Sequence, residues 1–458
     1  MAGIGFQLRK ILAKDRYATT LRAYLYAGMI SSGPWVLSII SVMVIGLLSL
    51  GYSVPSQEVG QFLISVTYLM ASSLIFTGGL QLFFIRYISD RLYEKKYESI
   101  LPNLLGILFV VTLVAAVIAF LIIFLFFDDT TIQYKILMFS NFIVLCNLWV
   151  VIIFLSGMKA YNRIIVFMLI GYSVMIGASY LLSYWKIYGL LTALLIGHST
   201  LLFIFLAEVL RLHPAKKLIS FEFFKSKNIY FSLIATGLLY NLGVWVDKFI
   251  FWFNPYTSHQ VIGPLRSSLL YDLPIFLAYL AIIPGMAVFL VKIETNFAEW
   301  YEKLFSAIRD GGSLSYITHA RAEMTNTIRD GLFSICKIQG ATVVLLLIFA
   351  PNILSWLGIS HYHLPLFYVD VVGVSIQVVF MALLNVFFYL DKRSIVLRLC
   401  LLFFVLNAIL TLLSQYLGPA YFGYGFTLSL LVCVLVGLKQ LSSTLDKLLY
   451  HTFMLRQE

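Results

Sequence analysis

Charged side chains are scarce in this sequence. Asp, Glu, Lys and Arg make up 12% of its 458 residues, whereas an ordinary globular chain carries about 25%. A water-soluble surface of this size needs more ionised groups, so the composition excludes a soluble globular protein. Hydrophobic residues fill 61% of the chain, and the mean hydropathy is +0.94. These values are typical of a membrane protein.

The sequence also lacks the motifs of common catalytic and metal sites. No GxxxxGK[ST] loop is present, which excludes ATP hydrolysis by that route. Its four cysteines, Cys146, Cys336, Cys400 and Cys433, stand alone in apolar stretches without a CxxC pair. They are predicted to be small buried hydrophobes rather than metal ligands or disulfide partners. We therefore expect neither an enzyme nor a cofactor or metal site.

Long apolar runs dominate what is present. A bilayer-spanning helix needs about 20 consecutive apolar residues, and the chain offers twelve such runs. They cover 24–50, 61–85, 104–127, 132–158, 164–184, 188–210, 229–253, 265–291, 335–358, 364–390, 394–416 and 420–438. The pattern predicts an all-α polytopic membrane protein with about twelve transmembrane helices in two six-helix bundles.

Polar stretches suggest how these spans are grouped. Residues 1–22 can form an amphipathic cytoplasmic segment, read as a signal anchor that is not removed. We predict a first bundle over 23–210, a cytoplasmic linker over 211–228, and a second bundle over 229–450. The second bundle contains a cytoplasmic loop, 292–334, which is predicted to be two polar helices broken at Gly311 and Gly312.

The distribution of basic residues predicts the orientation. With a cytoplasmic N-terminus, the outer side keeps only four of the 32 lysines and arginines: Lys135, Lys186, Lys248 and Arg266. Both termini are then cytoplasmic, and the protein lies in the cytoplasmic (inner) membrane. The net charge of +11 is explained by this bias and by attraction to anionic lipid, not by binding of nucleic acid.

Acidic residues inside the predicted spans are the main candidates for function. An ionisable group at bilayer depth costs at least about 2.5–3.5 kcal/mol. Asp247, Asp272 and Asp370 are expected at a common depth of about 9–10 Å below the outer boundary, and Lys248 and Arg266 could neutralise some of them. Because adjacent helical residues point about 100° apart, we expect Asp247 and Lys248 to be poor partners for each other.

Two interpretations of these charges stay open. They are either interhelical ion pairs that fix packing, or an acidic patch on a polar pathway that meets a cationic or hydroxyl-rich solute or a coupling ion. Pro274 and Pro284 favour transport, since they should interrupt one span close to Asp272. Trp245 and Tyr271 lie near the same depth and suit the faces of sugars. The predicted substrate-binding residues are Asp247, Lys248, Arg266, Tyr271, Asp272, Asp370 and Trp245.

Several long strings carry a resemblance to a known family. "AGIGFQLRKIL" (2–12), "SSGPWVLSI" (31–39), "YNLGVWVDKFIFWF" (240–253), "YDLPIFLAYLAIIPGMAVFLVKIETNF" (271–297) and "NVFFYLDKR" (385–393) resemble the PelG family. The resemblance implies a fold of the multidrug/oligosaccharide/polysaccharide flippase superfamily. It also implies export of a polymer rich in N-acetylgalactosamine and galactosamine, beside a PelF-like cytoplasmic glycosyltransferase, a PelD-like cyclic-di-GMP receptor and a PelE-like membrane partner.

Three functions therefore remain open at the level of sequence. The leading hypothesis is export of an exopolysaccharide as part of a synthase complex. The second is ion-coupled transport of small cations or drugs on the same fold. The third is a non-transporting membrane scaffold that anchors a synthase.

Overall fold

The computed structural model describes residues 17–51, 54–157, 161–212, 217–225 and 230–454. These residues form sixteen α-helices. In chain order they are α1 Tyr17–Gly51, α2 Ser56–Tyr93, α3 Ile100–Phe126, α4 Ile132–Gly157, α5 Tyr161–Leu182, α6 Lys186–Leu212, α7 Glu222–Lys225, α8 Phe231–Phe253, α9 Leu269–Ala278, α10 Ile282–Val291, α11 Ala298–Arg309, α12 Leu314–Trp356, α13 Leu364–Tyr389, α14 Arg393–Leu417, α15 Tyr424–Asp446 and α16 Leu448–Met454.

The apolar runs form helices because a bilayer offers no hydrogen-bond partner for backbone N–H and C=O groups. In a helix these groups bond to each other within the segment. Ten segments of the described chain are long and apolar enough to cross a membrane. One of them, Arg163–Leu212, contains two predicted spans, and α1 covers another. Each of the twelve predicted spans thus lies mostly within helix among the described residues, which confirms the predicted all-α polytopic fold.

The eighth span is interrupted, as its prolines predicted. A 3₁₀ turn, Tyr279–Ala281, separates α9 from α10, with Pro274 before it and Pro284 after it. Proline has no N–H to donate and its ring clashes with the preceding turn. A π-helix, Lys292–Phe297, then joins α10 to α11.

The polar loop after this span is helical, with the break at Gly311 and Gly312 that the sequence predicted. The helix that follows, α12, is longer than expected. It runs for 43 residues and contains both the second polar helix and the ninth span. One side of α12 is exposed, and Cys336 lies on that side. The prediction that all four cysteines are buried is therefore wrong for Cys336.

A short antiparallel hairpin, which the sequence did not indicate, joins α8 to α9. Strand β1, His259–Ile262, pairs with β2, Leu265–Ser267, so that Gln260 faces Arg266. Gly263 turns the chain with a φ of +50°, a conformation that glycine tolerates best. Since the hairpin occupies 265–267, the eighth span begins at Leu269 and not at 265 as predicted.

The described chain divides into two compact units. We call Gly33–Trp245 with Phe251–Ser268 the N-terminal unit, and the described part of Met1–Ser32, Val246–Ile250 and Leu269–Glu458 the C-terminal unit. Phe62 and Phe205 are fully buried in the core of the first, and Phe380 and Phe403 in the core of the second. The predicted boundaries at 23–210, 211–228 and 229–450 stay a prediction, and the predicted amphipathic segment lies largely outside the described residues.

Candidate functional site

Asp247 and Lys248 are two of the three most buried charged residues described in the C-terminal unit, the third being Asp370. They lie near the end of α8, on the five residues, Val246–Ile250, that cluster with this unit. Their exposed fractions are 0% and 1%. Isolated charges at such burial are very costly, so each needs partners that replace water.

The two side chains are partners for each other. Lys248 Nζ lies 3.0 Å from Asp247 Oδ2 and 3.2 Å from Oδ1. The prediction that adjacent helical residues would pair poorly is wrong here. The 100° angle describes where side chains leave the helix, whereas a lysine has a flexible four-carbon stem that can fold back to its neighbour.

Two tyrosines complete the surroundings of this pair. Tyr271 donates a hydrogen bond of 2.6 Å to Asp247 Oδ2, and Lys248 Nζ lies 3.4 Å from the hydroxyl of Tyr279. The ammonium also lies 5.2 Å from the ring centre of Tyr279 and 5.1 Å from that of Phe426. Aromatic faces attract cations, so these rings add favourable contacts to the lysine side chain.

Asp370, on α13, is enclosed without hydrogen bonds. It is fully buried, and neither carboxylate oxygen has a hydrogen-bond partner among the described residues. Lys248 and Asp247 both lie within electrostatic range of it. We call Asp247, Lys248, Tyr271, Tyr279 and Asp370 the charge cluster. Among the described residues it holds two acidic side chains and one basic side chain, so the acids outnumber the base.

Helix α15 supplies the remaining wall beside Asp370. Gly423 stands at its N-cap with a φ of +83°. A Cβ atom placed there would lie 2.9 Å from Asp370 Oδ1, so the carboxylate packs directly against the helix N-terminus. The positive end of a helix dipole favours a negative charge at this point. Glycine is needed both for the backbone conformation and for the close approach of the acid.

The structure brings four of the seven predicted binding residues together: Asp247, Lys248, Tyr271 and Asp370. Asp272 is also buried, but it lies in the first turn of α9. Because α9 starts at Leu269, Asp272 is three residues from the helix end, and the common depth of the three acids stays a prediction.

The other two predicted residues belong to the N-terminal unit. Arg266 is held by its own hairpin, with Nε 2.9 Å from Ser258 Oγ and Nη2 3.3 Å from the Ser258 carbonyl oxygen. Trp245 packs against Trp252 with ring centres 6.3 Å apart. The expectation that Arg266 neutralises an intramembrane acid finds no support in these contacts.

Sequence reasoning missed Tyr279 and Phe426. Aromatic residues are common in membrane spans, and neither residue stands out by composition. Tyr279 had one usable signal, its place between Pro274 and Pro284, where an interrupted helix can present a side chain differently. Phe426 had none, because only the packing of α15 brings it to Lys248.

Comparison with known proteins fixes the family. The PelG family, described as "Putative exopolysaccharide Exporter (EPS-E)", matches residues 1–453. The chain belongs to the PelG family. Among curated proteins none matches this chain.

Solved transporters share the fold of this PelG-family chain. It is similar to an outward-facing multidrug resistance MATE family transporter of the MOP superfamily, with 15% identity, 92% of this chain and 96% of the other covered, and a TM-score of 0.65. It is also similar to a MOP superfamily transporter from Pyrococcus furiosus, with 14% identity and a TM-score of 0.65. That match covers 93% of this chain and 96% of the other. The lipid II flippase MurJ in an inward closed conformation is similar as well, with 12% identity and a TM-score of 0.59. That match covers 89% of this chain and 87% of the other. At these identities the likeness establishes a MOP-superfamily fold.

Proposed function

We propose that this exopolysaccharide exporter moves a Pel-like polymer, rich in N-acetylgalactosamine and galactosamine, across the cytoplasmic membrane as part of a synthase complex. The observation that carries the proposal is the family match over residues 1–453, nearly the whole chain. The charge cluster is consistent with a polymer that bears amine groups, since an excess carboxylate favours a cation.

The proposed partners are a PelF-like cytoplasmic glycosyltransferase, a PelD-like cyclic-di-GMP receptor and a PelE-like membrane protein. The polar helix α11 offers them the partly exposed Trp300, whereas Leu304 on the same helix is fully buried and does not reach the surface. We expect Trp300→Ala to weaken co-purification with the glycosyltransferase while membrane abundance is unchanged. Unaltered co-purification would contradict a docking role for Trp300.

Inverted membrane vesicles test export directly. Vesicles that contain the chain and the glycosyltransferase receive the sugar nucleotide from outside, which is the cytoplasmic side of such vesicles. Export places polymer in the lumen, where an added glycosidase cannot degrade it. Polymer that is made but remains fully degradable would refute export and would support the scaffold function instead.

The proposed role of the charge cluster needs a second conformation. Asp247, Lys248 and Asp370 are enclosed by protein in this structure, so a sugar can meet them only after the helices around them separate. We propose that the predicted binding residues, with Trp245, Arg266 and Asp272, contact the polymer during such a cycle. The vesicle assay separates this role from packing, because a packing residue lowers abundance whereas a contact residue lowers export per molecule.

One observation favours ion-coupled transport as a second candidate function. Asp370 carries no hydrogen bond among the described residues, so it can take up a proton or a small cation without breaking a contact. If transport is ion-coupled, an ionophore that collapses the membrane potential and the proton gradient should stop protection of the polymer. An exporter pushed only by polymerisation would be unaffected, and this result would exclude the second candidate.

Labelling from one side tests the proposed orientation. Tyr256 and Leu314 are 97% and 71% exposed, and they lie in the predicted outer and cytoplasmic loops. In a background that carries Cys336→Ala, an impermeant thiol reagent should label Tyr256→Cys only from outside and Leu314→Cys only from the cytoplasm. Labelling of both from the same side would contradict the proposed topology between α8 and α12.

A further inference from the structure

A groove of about 320 Å³ opens on the C-terminal unit, away from the residues of the charge cluster. Its volume is at the lower end of the range for ligand pockets, about 300–1,000 Å³. Half-buried rings, exposed charges and a hydroxyl line it together. The lining residues are Ala298, Tyr301, Glu302, Phe305, Ser306, Arg309 and Tyr389.

One face of α11 builds most of this groove. Tyr301, Phe305 and Arg309 recur every four residues and therefore share a side of the helix. The opposite side is anchored by Leu304, which is fully buried. Glu302 and Arg309 are both exposed and stand about 10 Å apart along the helix axis, seven residues at 1.5 Å each.

Hydrogen bonds to a buried acid hold the aromatic side of the groove, Tyr301 and Tyr389, in place. Tyr389 on α13 donates a hydrogen bond of 2.8 Å to Glu294 Oε2, and Asn385 Nδ2 lies 3.4 Å from Oε1. Glu294 is buried in the π-helix that precedes α11. The rings of Tyr389 and Tyr301 then meet at 5.5 Å and 67°. A buried carboxylate thus orients a ring that the groove exposes.

This chemistry suits a saccharide better than a protein segment or a lipid. A pyranose ring has an apolar C–H face and a rim of hydroxyls. Aromatic rings with a polar end can stack on the C–H face. A carboxylate and a guanidinium can form hydrogen bonds with the hydroxyls. Glu302 and Arg309 have opposite signs, and the exposed Asp310 beside Arg309 adds a second acid, so the groove does not favour an anionic lipid surface.

We propose that this groove binds the exopolysaccharide before it enters the membrane, as an entry subsite for neutral N-acetylated sugar residues. The inference rests on the proposed export of such a polymer. It also uses the predicted cytoplasmic position of residues 292–334, where a cytoplasmic glycosyltransferase delivers its product. Tyr301 and Tyr389 stack on sugar faces, and Glu302 and Arg309 bind hydroxyl and acetamido groups.

Binding to purified protein tests the subsite without transport. The probe is a short oligosaccharide of N-acetylgalactosamine, titrated against full-length protein in detergent by calorimetry. We expect Glu302→Gln/Arg309→Gln to weaken binding about tenfold, which corresponds to about 1.4 kcal/mol. These exposed positions can be changed without disturbing the fold. Tyr301→Leu, which keeps apolar area but removes the ring, should weaken binding to a similar extent.

The same helix offers a matched control. Glu299 and Lys303 form an ion pair of 2.8 Å outside the groove, so Glu299→Gln/Lys303→Gln deletes one acid and one base from α11 without touching the lining. This variant should bind the probe as the wild type does. A maltose oligomer, which lacks acetamido groups, should bind the wild type more weakly.

The outcomes distinguish the subsite from export itself. Wild-type protein that protects polymer in vesicles but binds no probe, or groove variants that bind as the wild type, would overturn the subsite and leave export standing. Groove variants that keep probe binding but lose the glycosyltransferase would also overturn it and would assign the groove to a protein partner. Probe binding that depends on the groove in a protein that protects no polymer would support the subsite and refute export.

Discussion

The two units bury different kinds of polar group. In the N-terminal unit neutral side chains link the helices: Ser65 with Tyr134 at 2.6 Å, Trp149 with Ser73 at 3.0 Å, and Asn147 with Thr112 at 2.9 Å. In the C-terminal unit the buried groups include Asp247, Lys248, Asp370 and Glu294.

Where the N-terminal unit pairs a buried or half-buried acid, the basic partner is exposed. Glu208 pairs with Arg163, and Glu58 pairs with Lys186 at 3.4 Å; both basic side chains are exposed. Neutral hydrogen bonds are enough to hold helices together. The fully enclosed charges of the C-terminal unit are therefore an added cost, which packing alone does not explain and which a transport cycle would.

The largest expected effect is that of Asp247→Ala. It leaves Lys248 buried without its nearest counter-charge, and removal of one partner of a buried ion pair costs about 3–5 kcal/mol. Membrane abundance and the melting temperature in detergent should both fall. Asp247→Asn/Lys248→Met, which removes both charges, should restore most of the stability. If Asp247→Ala were as stable as the wild type, the expected difference between the buried charges of the C-terminal unit and the neutral contacts of the N-terminal unit would be refuted.

A smaller effect is expected from Tyr134→Phe in the N-terminal unit. The change removes one neutral hydrogen bond, which contributes about 0.5–1.5 kcal/mol net. The same melting measurement should show only a modest decrease, because the Ser65 hydroxyl keeps its hydrogen bond of 2.6 Å to the Gln61 carbonyl oxygen. A loss as large as that of Asp247→Ala would show that neutral contacts are not the weaker kind in this protein.

The smallest effect on stability is expected from Asp370→Asn. The carboxylate has no hydrogen bond to lose among the described residues, and its charge is the one in excess, so abundance should be unchanged. Export in vesicles should nevertheless decrease if the charge serves transport. Asp129→Asn, at an exposed acid outside both the charge cluster and the groove, is the control. A clear fall in abundance would make Asp370 a structural partner of Lys248 instead.

The helices were predictable because each span needs a long apolar run, and the charge cluster was partly predictable because ionisable residues are rare in such runs. Asp247, Lys248 and Asp370 were found in this way, and Tyr271 was found as an aromatic residue near the same predicted depth. The pairing of Asp247 with Lys248 depends on a lysine rotamer, and the contact with Phe426 depends on tertiary packing, so neither can be derived from spacing. The hairpin that removes Arg266 from the eighth span is too short to produce a recognisable strand pattern.

Helix α12 is, in mechanical terms, a lever. Before Pro351 it is continuous, and its polar arm extends beyond the turns where Gly331 packs near Ile293 and Gln339 packs against Gly285. Those close contacts form a pivot. In the polar arm, Nη2 of Arg321 donates a hydrogen bond of 2.7 Å to the carbonyl oxygen of Leu445. If this arm were displaced, the contact of Arg321 would transmit the displacement to the end of α15.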